Sequence, residues 1–294
     1  MARRGTIVDM KSNIFIEVFG QAVLRSAILI AVFMTFFFIY ALYKKRNDIA
    51  DVVWGIGFII VAWFNFYSFG FQTEIFPGFY GAFRMQTFLV SLVVTIWGLR
   101  LSTHIALRNA DKPEDFRYKN WRDTWGKWFV VRSFFQIFML QGFLMLLISL
   151  PVIAVSIFGL ATISWITIAG FLIWLNGFIF EAGGDYQLTK FIKDPLNKGK
   201  IMTKGLWSLT RHPNYFGEVT QWWGVYLMSL PVLLSTIEAS MSVWVISLLG
   251  PLTITFLILK VSGIPMLEKK YDDNVDFQEY KKKTNAFFPW FPRR

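Results

Sequence analysis

Arg211-His212-Pro213-Asn214-Tyr215-Phe216-Gly217-Glu218 stands where a basic, polar stretch gives way to an apolar one. Pro213 suits the first turn of a helix, where its missing N–H costs nothing. The free N–H groups and positive dipole end of such a helix would face the basic side and favour an anion there. Glu218 then lies one turn inside the apolar run, where a carboxylate is costly unless it is paired or wet. The segment predicts a membrane helix over about 214–235 with a polar site at its entrance.

Working outward, six further apolar runs reach the roughly 20 residues that a spanning helix needs. They lie at about 22–43, 51–70, 84–107, 132–156, 160–182 and 240–262, and Pro151 is expected to end the fourth of the seven spans early. Of the 30 Lys and Arg residues, 24 fall in the stretches 44–50, 108–132, 183–212 and 260–294, whereas the alternate loops hold only Arg84. The excess of basic residues on one side marks cytoplasmic loops. The expectation is an all-α polytopic membrane protein of seven transmembrane helices, with its N-terminus outside and its C-terminus cytosolic. One membrane domain covers 1–294: a segment 1–21, a helical bundle 22–262 and a cytosolic tail 263–294. The first apolar run is too long for a signal-peptide core and is expected to remain as a span.

Composition agrees with this reading. The 294 residues are 55% hydrophobic and 17% charged, the latter below the roughly 25% of soluble domains, and the mean hydropathy is +0.46. The net charge of +11 follows from the one-sided basic loops, with no nucleic acid required. There is no Cys, and His104 and His212 are the only histidines, so a metal site of ordinary ligands is not expected. The chain has no phosphate-binding loop, dinucleotide fingerprint, zinc-protease or nucleophile-elbow motif. Any nucleotide must be held by helix ends and loops.

The candidate site residues cluster toward the basic side. Asn214, Glu218 and Trp222 recur every four residues and are expected to share one helix face, with Arg211, His212 and Tyr215 at its entrance. Glu181 and Asp185, also four apart, stack on the end of the fifth span, where two acids oppose the helix dipole. Carboxylates commonly accept ribose hydroxyls in nucleotide sites. Trp97, Arg100, His104 and Arg108 form a stripe at the end of the third span. Arg117 and Tyr118 are phosphate-contact candidates in a loop whose tryptophans resemble an interfacial helix. In the second span, Asn65 and Tyr67 are polar groups able to bond a substrate carbonyl or a neighbouring helix, and Asp51 reads as a helix cap.

The run Lys204 to Trp222, with Gly205-Leu206-Trp207 and Arg211 through Glu218, resembles the C-terminal signature of the steroid 5-alpha-reductase family, and especially its bacterial branch of uncharacterised membrane proteins. Trp97-Gly98-Leu99-Arg100-Leu101, Glu114-Asp115-x-Arg117-Tyr118 and Gly184-Asp185-x-Gln187-Leu188 fit that branch too. So does the tail from Pro265-x-x-Glu268 through Tyr280 to Phe288-Pro289-Trp290. The Arg-His-Pro-x-Tyr piece is also similar to isoprenylcysteine and phospholipid methyltransferases. The resemblance implies a seven-helix enzyme that holds NADPH on the cytosolic side and reduces a double bond conjugated to a ketone. Asn214, Glu218, Trp222, Asp185, Lys200 and His104 match its cofactor-contacting positions, and Trp207 and Glu268 lie within the matching motifs. Steroid reductases polarise the ketone with a Glu and a Tyr. Here those positions fall near Asn65 and on Trp97, and Trp donates one hydrogen bond without being an acid of Tyr's kind.

Three functions follow as expectations: an NADPH-dependent reductase of a hydrophobic enone entering from the bilayer, an S-adenosylmethionine-dependent lipid or isoprenoid methyltransferase, and a non-enzymatic lipid-binding membrane protein. The expected location is a bacterial inner membrane, with the site facing the cytosol and lipids as neighbours.

Overall fold

A computed structural model describes residues 2–69, 84–110, 112–159, 162–234 and 237–293; of 2–15, 231–234 and 237–240 only the backbone is described. Among these residues there are helices and no strands. In chain order they are α1 (Ala2–Lys44), α2 (Ile49–Phe69), α3 (Met85–Asn109), α4 (Phe116–Trp125), α5 (Phe129–Ser133), α6 (Leu140–Ile148) and α7 (Leu150–Phe158). There follow α8 (Trp165–Lys193), α9 (Leu206–Leu209), α10 (Pro213–Leu234), α11 (Ile237–Ser247), α12 (Leu249–Phe256), α13 (Ile264–Lys269) and α14 (Val275–Lys283).

Six stretches among the described residues are long and apolar enough to cross a membrane: Ile16–Lys44, Ile49–Phe69, Met85–Asn109, Phe116–Ile148, Trp165–Lys193 and Met241–Lys269. They fit an integral multi-pass membrane protein. The expected span at 214–235 corresponds to α10, a helix of 22 residues that is not among the six. Residues 70, 160–161 and 235–236, at the ends of expected spans, lie outside the described residues.

Of three boundaries, those of the first and fifth spans differ from the sequence reading, and the early end of the fourth at Pro151 agrees with it. The segment 1–21 is helical from Ala2 and continuous with the first span. The fourth span breaks at Ser149, where Pro151 occupies the first turn of α7; lacking an N–H, it cannot bond the carbonyl of residue 147 and the ladder is interrupted. The fifth span does not end at 182 but continues as α8 to Lys193. Gly183 and Gly184 look like a helix stop, yet they sit mid-helix because their neighbours come close. A Cβ at Gly184 would lie 3.0 Å from the Pro213 ring and 3.2 Å from the Asn214 nitrogen.

The chain forms two compact units, Met1–Thr167 with Ser229–Gly250 and Ile168–Met228 with Pro251–Arg294. In unit 1, α1 packs on α2, α6 and α11. The α2–α3 pair is set by two facing glycines: a Cβ at Gly55 would meet the Gly98 carbonyl oxygen at 2.4 Å, and one at Gly98 would meet that of Gly55 at 2.6 Å. Trp63 donates from its indole to the Thr95 hydroxyl, 2.9 Å, further along the same pair. Arg84 precedes α3 and donates to the carbonyls of Ser156 (3.1 Å) and Ile157, the last turn of α7. Cations favour that end of a helix dipole. The one basic residue of the alternate loops thus caps a helix.

In unit 2, α8 and α10 run antiparallel along a seam of glycines seven residues apart. Gly170, Gly177 and Gly184 on α8 oppose Met228, Gly217 and Pro213–Asn214 on α10, while Gly224 opposes Trp174. A Cβ on Gly217 would stand 2.4 Å from the Glu181 nitrogen and 2.5 Å from the Gly177 oxygen. Small residues at this spacing let two membrane helices touch backbone to backbone. A period of seven keeps the contact on one stripe along near-parallel axes.

Candidate functional site

The α8–α10 seam places polar side chains opposite one another. Asn214 donates from Nδ2 to the Asp185 carboxylate at 3.2 Å, and about two turns further along α10 Gln221 Nε2 donates to the Glu181 carboxylate. Glu181 and Gln221 are 2% and 1% exposed, and Asp185 9%. The Gln221 side-chain oxygen is buried with no hydrogen-bond partner. Two acids that would repel on an isolated helix are thus each faced by an amide.

The face that α10 turns toward α8 is Asn214, Gly217, Gln221, Gly224 and Met228. Of the expected stripe of Asn214, Glu218 and Trp222, Asn214 bonds across that seam. A four-residue step advances 400° on a helix and drifts off the line that a seven-residue repeat holds. Glu218 is half-buried and Trp222 buried on the adjacent stripe. Gln221 was not a candidate from sequence. Its spacing of seven from Asn214 was the available signal.

Arg211 and His212 do not join the seam. Both are buried and turn to Glu268 on α13: Arg211 Nε and Nη2 donate at 2.9 and 3.2 Å, and His212 Nε2 lies 2.9 Å from the same carboxylate. Lys281 Nζ is 3.4 Å from its other oxygen. Arg211 Nη1 also donates to the carbonyl of Lys281, 3.3 Å. Burial lowers the His212 pKa from its ordinary value, although the bond to Glu268 opposes this. Its ring stacks on Tyr215 with centroids 5.4 Å apart. The arginine thereby ties the α10 entrance to the C-terminal segment, as does Tyr280, which donates to the Trp207 carbonyl.

Two motifs singled out by resemblance meet here. The Trp207 indole donates to the Gly184 carbonyl at 3.0 Å, and the Leu206 N–H donates to Gln187 Oε1 at 2.9 Å. Gly205 has φ +64°, which an L side chain rarely adopts, and a Cβ there would meet Gln187 Oε1 at 2.6 Å. Gly184-x-x-Gln187 therefore clamps Gly205-Leu206-Trp207. Lys200 is exposed in the segment before this clamp.

Unit 1 holds the remaining candidates. Tyr118 is buried and donates to Asp51 Oδ1 at 2.6 Å; Arg117 donates to Asp51 at 3.0 Å and to Asp115 at 3.0 and 3.3 Å. Gln141 adds a bond to Asp51 at 3.3 Å. Asp51, read as a cap, is the hub of this cluster. Asp115 is held below its ordinary pKa because the Arg117 bonds outweigh the effect of burial. Arg117 and Tyr118 thus serve an internal carboxylate in this structure.

On α3, Arg100 and His104 are half-buried, and Arg108 is exposed and bonds Asn109 at 3.4 Å. Asn65, Tyr67 and Trp97 do not converge. Trp97 is buried edge-on against Phe58, centroids 5.4 Å apart. Asn65 lies seven residues from Phe58 on α2, about 10 Å along the axis, and donates to Ser26 (2.8 Å) and Val61 (2.9 Å). Tyr67 is exposed beside Trp63. No group of three or more His, Asp or Glu able to hold a metal is found among the described residues.

A family model described as a protein of unknown function (DUF1295) matches residues 36–284. A probable O-methyltransferase, ustE of Ustilaginoidea virens, is 48% identical over 46 residues, which cover 16% of this chain and 16% of that protein. No solved structure matches.

Proposed function

We propose, from the premise that the chain belongs to the DUF1295 family, that it is a membrane-embedded reductase that uses NADPH to reduce a carbon–carbon double bond conjugated to a ketone in a hydrophobic, steroid- or isoprenoid-like molecule. The observation that carries this reading is the α8–α10 seam, where Glu181 and Asp185 face Gln221 and Asn214 at a glycine-set spacing. The donor set fits a nucleoside: carboxylates accept from ribose hydroxyls, and amides both donate to and accept from a base or carboxamide. Asp185, Asn214 and Glu218 would hold the nucleoside part, with Trp222 as an apolar wall. Lys200 would offer a cation to phosphate, because Arg211 is committed to Glu268. The cofactor would supply the hydride. The protein's share is to orient donor and acceptor and to exclude water. Arg100, His104 and Arg108 remain on α3 as further cofactor candidates. Asn65 and Trp97 are the donors nearest the polarising positions of the resembled family. The substrate would enter from the bilayer, and the site would face the cytosol of a bacterial inner membrane.

The match to a protein named as a probable O-methyltransferase favours a second reading, with S-adenosylmethionine on the same seam. Both cofactors carry an adenosine ribose, so the seam serves either. Thermal unfolding of the detergent-purified protein separates them. A ligand that binds only the folded form stabilises it by about 2.7 kcal/mol at one hundred times its dissociation constant. A shift with NADPH alone is expected; a shift with S-adenosylmethionine alone replaces the reductase by the methyltransferase, and none with either leaves a lipid-binding protein. Glu218→Gln is expected to weaken the NADPH shift without changing the unliganded melting temperature, and an unaltered shift would remove Glu218 from the site.

A further inference from the structure

The C-terminal segment after α14 presents an aromatic ridge that the site above does not use. Phe288, Trp290 and Phe291 are 71%, 69% and 79% exposed. Side chains of this size normally bury, and a contiguous apolar patch on a surface marks a contact with something else. The ridge is held in place. Arg211 N–H donates to the Asn285 carbonyl at 2.9 Å, Trp290 N–H to the Leu209 carbonyl at 2.9 Å, and Arg293 N–H to the Lys283 carbonyl at 2.8 Å. The Thr210 hydroxyl donates to the Ala286 carbonyl at 3.0 Å, and Pro289 and Pro292 restrict the backbone further.

Its level relative to the apolar helices is also set. Phe287 and Phe288 pack on Phe216, centroids 5.7 and 6.5 Å away, and Phe216 lies in the first turn of α10, where the polar entrance becomes apolar. Lys282, Lys283 and Arg293 are exposed within the same short segment. Aromatic rings beside cations, at the entrance of an apolar helix, match the boundary of a bilayer, where indole and phenyl rings sit among the headgroups. Lys and Arg beside them are attracted to anionic lipid.

We propose that residues 287–293 form an interfacial anchor that inserts Phe288, Trp290 and Phe291 into the headgroup layer of an anionic bilayer, with Lys282, Lys283 and Arg293 contacting its phosphates. The anchor would hold the Arg211–Glu268 tie, and so the α10 entrance, at the membrane surface. It lies beyond residue 284, where the family match ends.

The chain has no cysteine, so one introduced thiol can be labelled in the full-length protein. Trp290→Cys and, separately, Phe291→Cys carry a nitroxide; Thr203→Cys, in the exposed segment before α9, serves as the aqueous reference. The proteins are reconstituted in phosphatidylcholine vesicles with or without phosphatidylglycerol, and relaxation by oxygen and by a water-soluble nickel complex is compared. The expected result is a shift at 290 and 291 toward oxygen access and nickel exclusion in the anionic vesicles, reduced by Lys282→Gln with Lys283→Gln or by high salt. Nickel access equal to that at 203 overturns the anchor. Equal shielding in both lipids, insensitive to the lysines, overturns the anionic assignment. A label immobilised yet open to nickel points to a protein partner and overturns it too.

Discussion

Asp51 in unit 1 and Glu268 in unit 2 each gather several donors, and the two clusters are built differently. In unit 1, Asp51 collects Arg117, Tyr118 and Gln141, but its side chain is 20% and that of Arg117 31% exposed. In unit 2, Glu268 collects Arg211, His212 and Lys281, with side chains 9%, 7%, 2% and 42% exposed. The ion pair of the first cluster has the more accessible surface, although Tyr118 within it is buried, and that of the second is nearly closed. Ion pairs of similar length therefore differ in consequence: breaking the more accessible pair should cost less, whereas stranding a buried guanidinium costs the desolvation of an uncompensated charge. Counting bonds would rank the two clusters equal.

Glu268→Ala tests the stronger side of that comparison. It leaves Arg211 buried without its carboxylate, and a loss of about 3–5 kcal/mol is expected, read as the fall in denaturation midpoint in detergent. Glu268→Gln, which retains an oxygen acceptor, should fall between this variant and the parent. A loss below 1 kcal/mol for the alanine variant would show that water reaches the cluster and would erase the contrast with Asp51.

The glycine seams come next. Gly217→Ala places a methyl 2.4 Å from the Glu181 backbone nitrogen, with no side-chain end free to move aside. Overpacking of this kind costs about 1–3 kcal/mol. Gly98→Ala in unit 1, 2.6 Å from the Gly55 carbonyl, should cost a similar amount. The two should differ in ligand response. The unit 2 variant spreads the carboxylates from their amides and is expected to lose the NADPH shift, while the unit 1 variant keeps it. Loss of binding in both would end the assignment of the nucleoside site to the α8–α10 seam.

The helical class and the multi-pass arrangement were legible because apolar length and one-sided basic charge are local properties of the chain. Pro213 marked the start of α10 for the same reason. The end of α8 was placed too early because the apolar run stops near 182 while the helix runs on to Lys193, with Gly184 held mid-helix by the close approach of Pro213. The seven-residue spacing of Gly170, Gly177 and Gly184, matched by Gly217 and Gly224, was present in the sequence and sets the line along which α8 and α10 touch. Other features could not be read in this way. Arg211 and Glu268 are 57 residues apart, and nothing in their spacing distinguishes a basic residue offered to a phosphate from one bound to an internal carboxylate. Arg117 and Tyr118 illustrate the same ambiguity around Asp51.

Asp51→Asn probes the weaker cluster. It keeps an oxygen acceptor for Tyr118 and removes the charge facing Arg117, so a loss of about 1 kcal/mol is expected, with the NADPH shift intact. A larger loss accompanied by failed binding would place Arg117 and Tyr118 in the cofactor's service after all, as the loop motif first suggested.

The smallest effect expected is pH dependence through His212. Burial lowers its pKa from the ordinary 6.5, so in the window between the two values the unfolded chain binds more protons than the folded one. Stability then rises with pH through that window. The contribution is fully present above about 6.5 and is lost as pH falls toward the folded value. The groups facing the ring are Glu268, which favours the protonated form, Arg211, which opposes it, and the stacked Tyr215. Melting temperatures between pH 7.5 and 5.5 should therefore fall more steeply for the parent than for His212→Gln, and Glu268→Gln should steepen the parent's fall by removing the one group that favours the imidazolium. If instead the Glu268→Gln profile is flatter than the parent's, the carboxylate outweighs burial and His212 is protonated within the folded cluster. The buried cluster would then carry two cations on one acid, and its advantage over Asp51 would rest on charge as well as on exclusion of water.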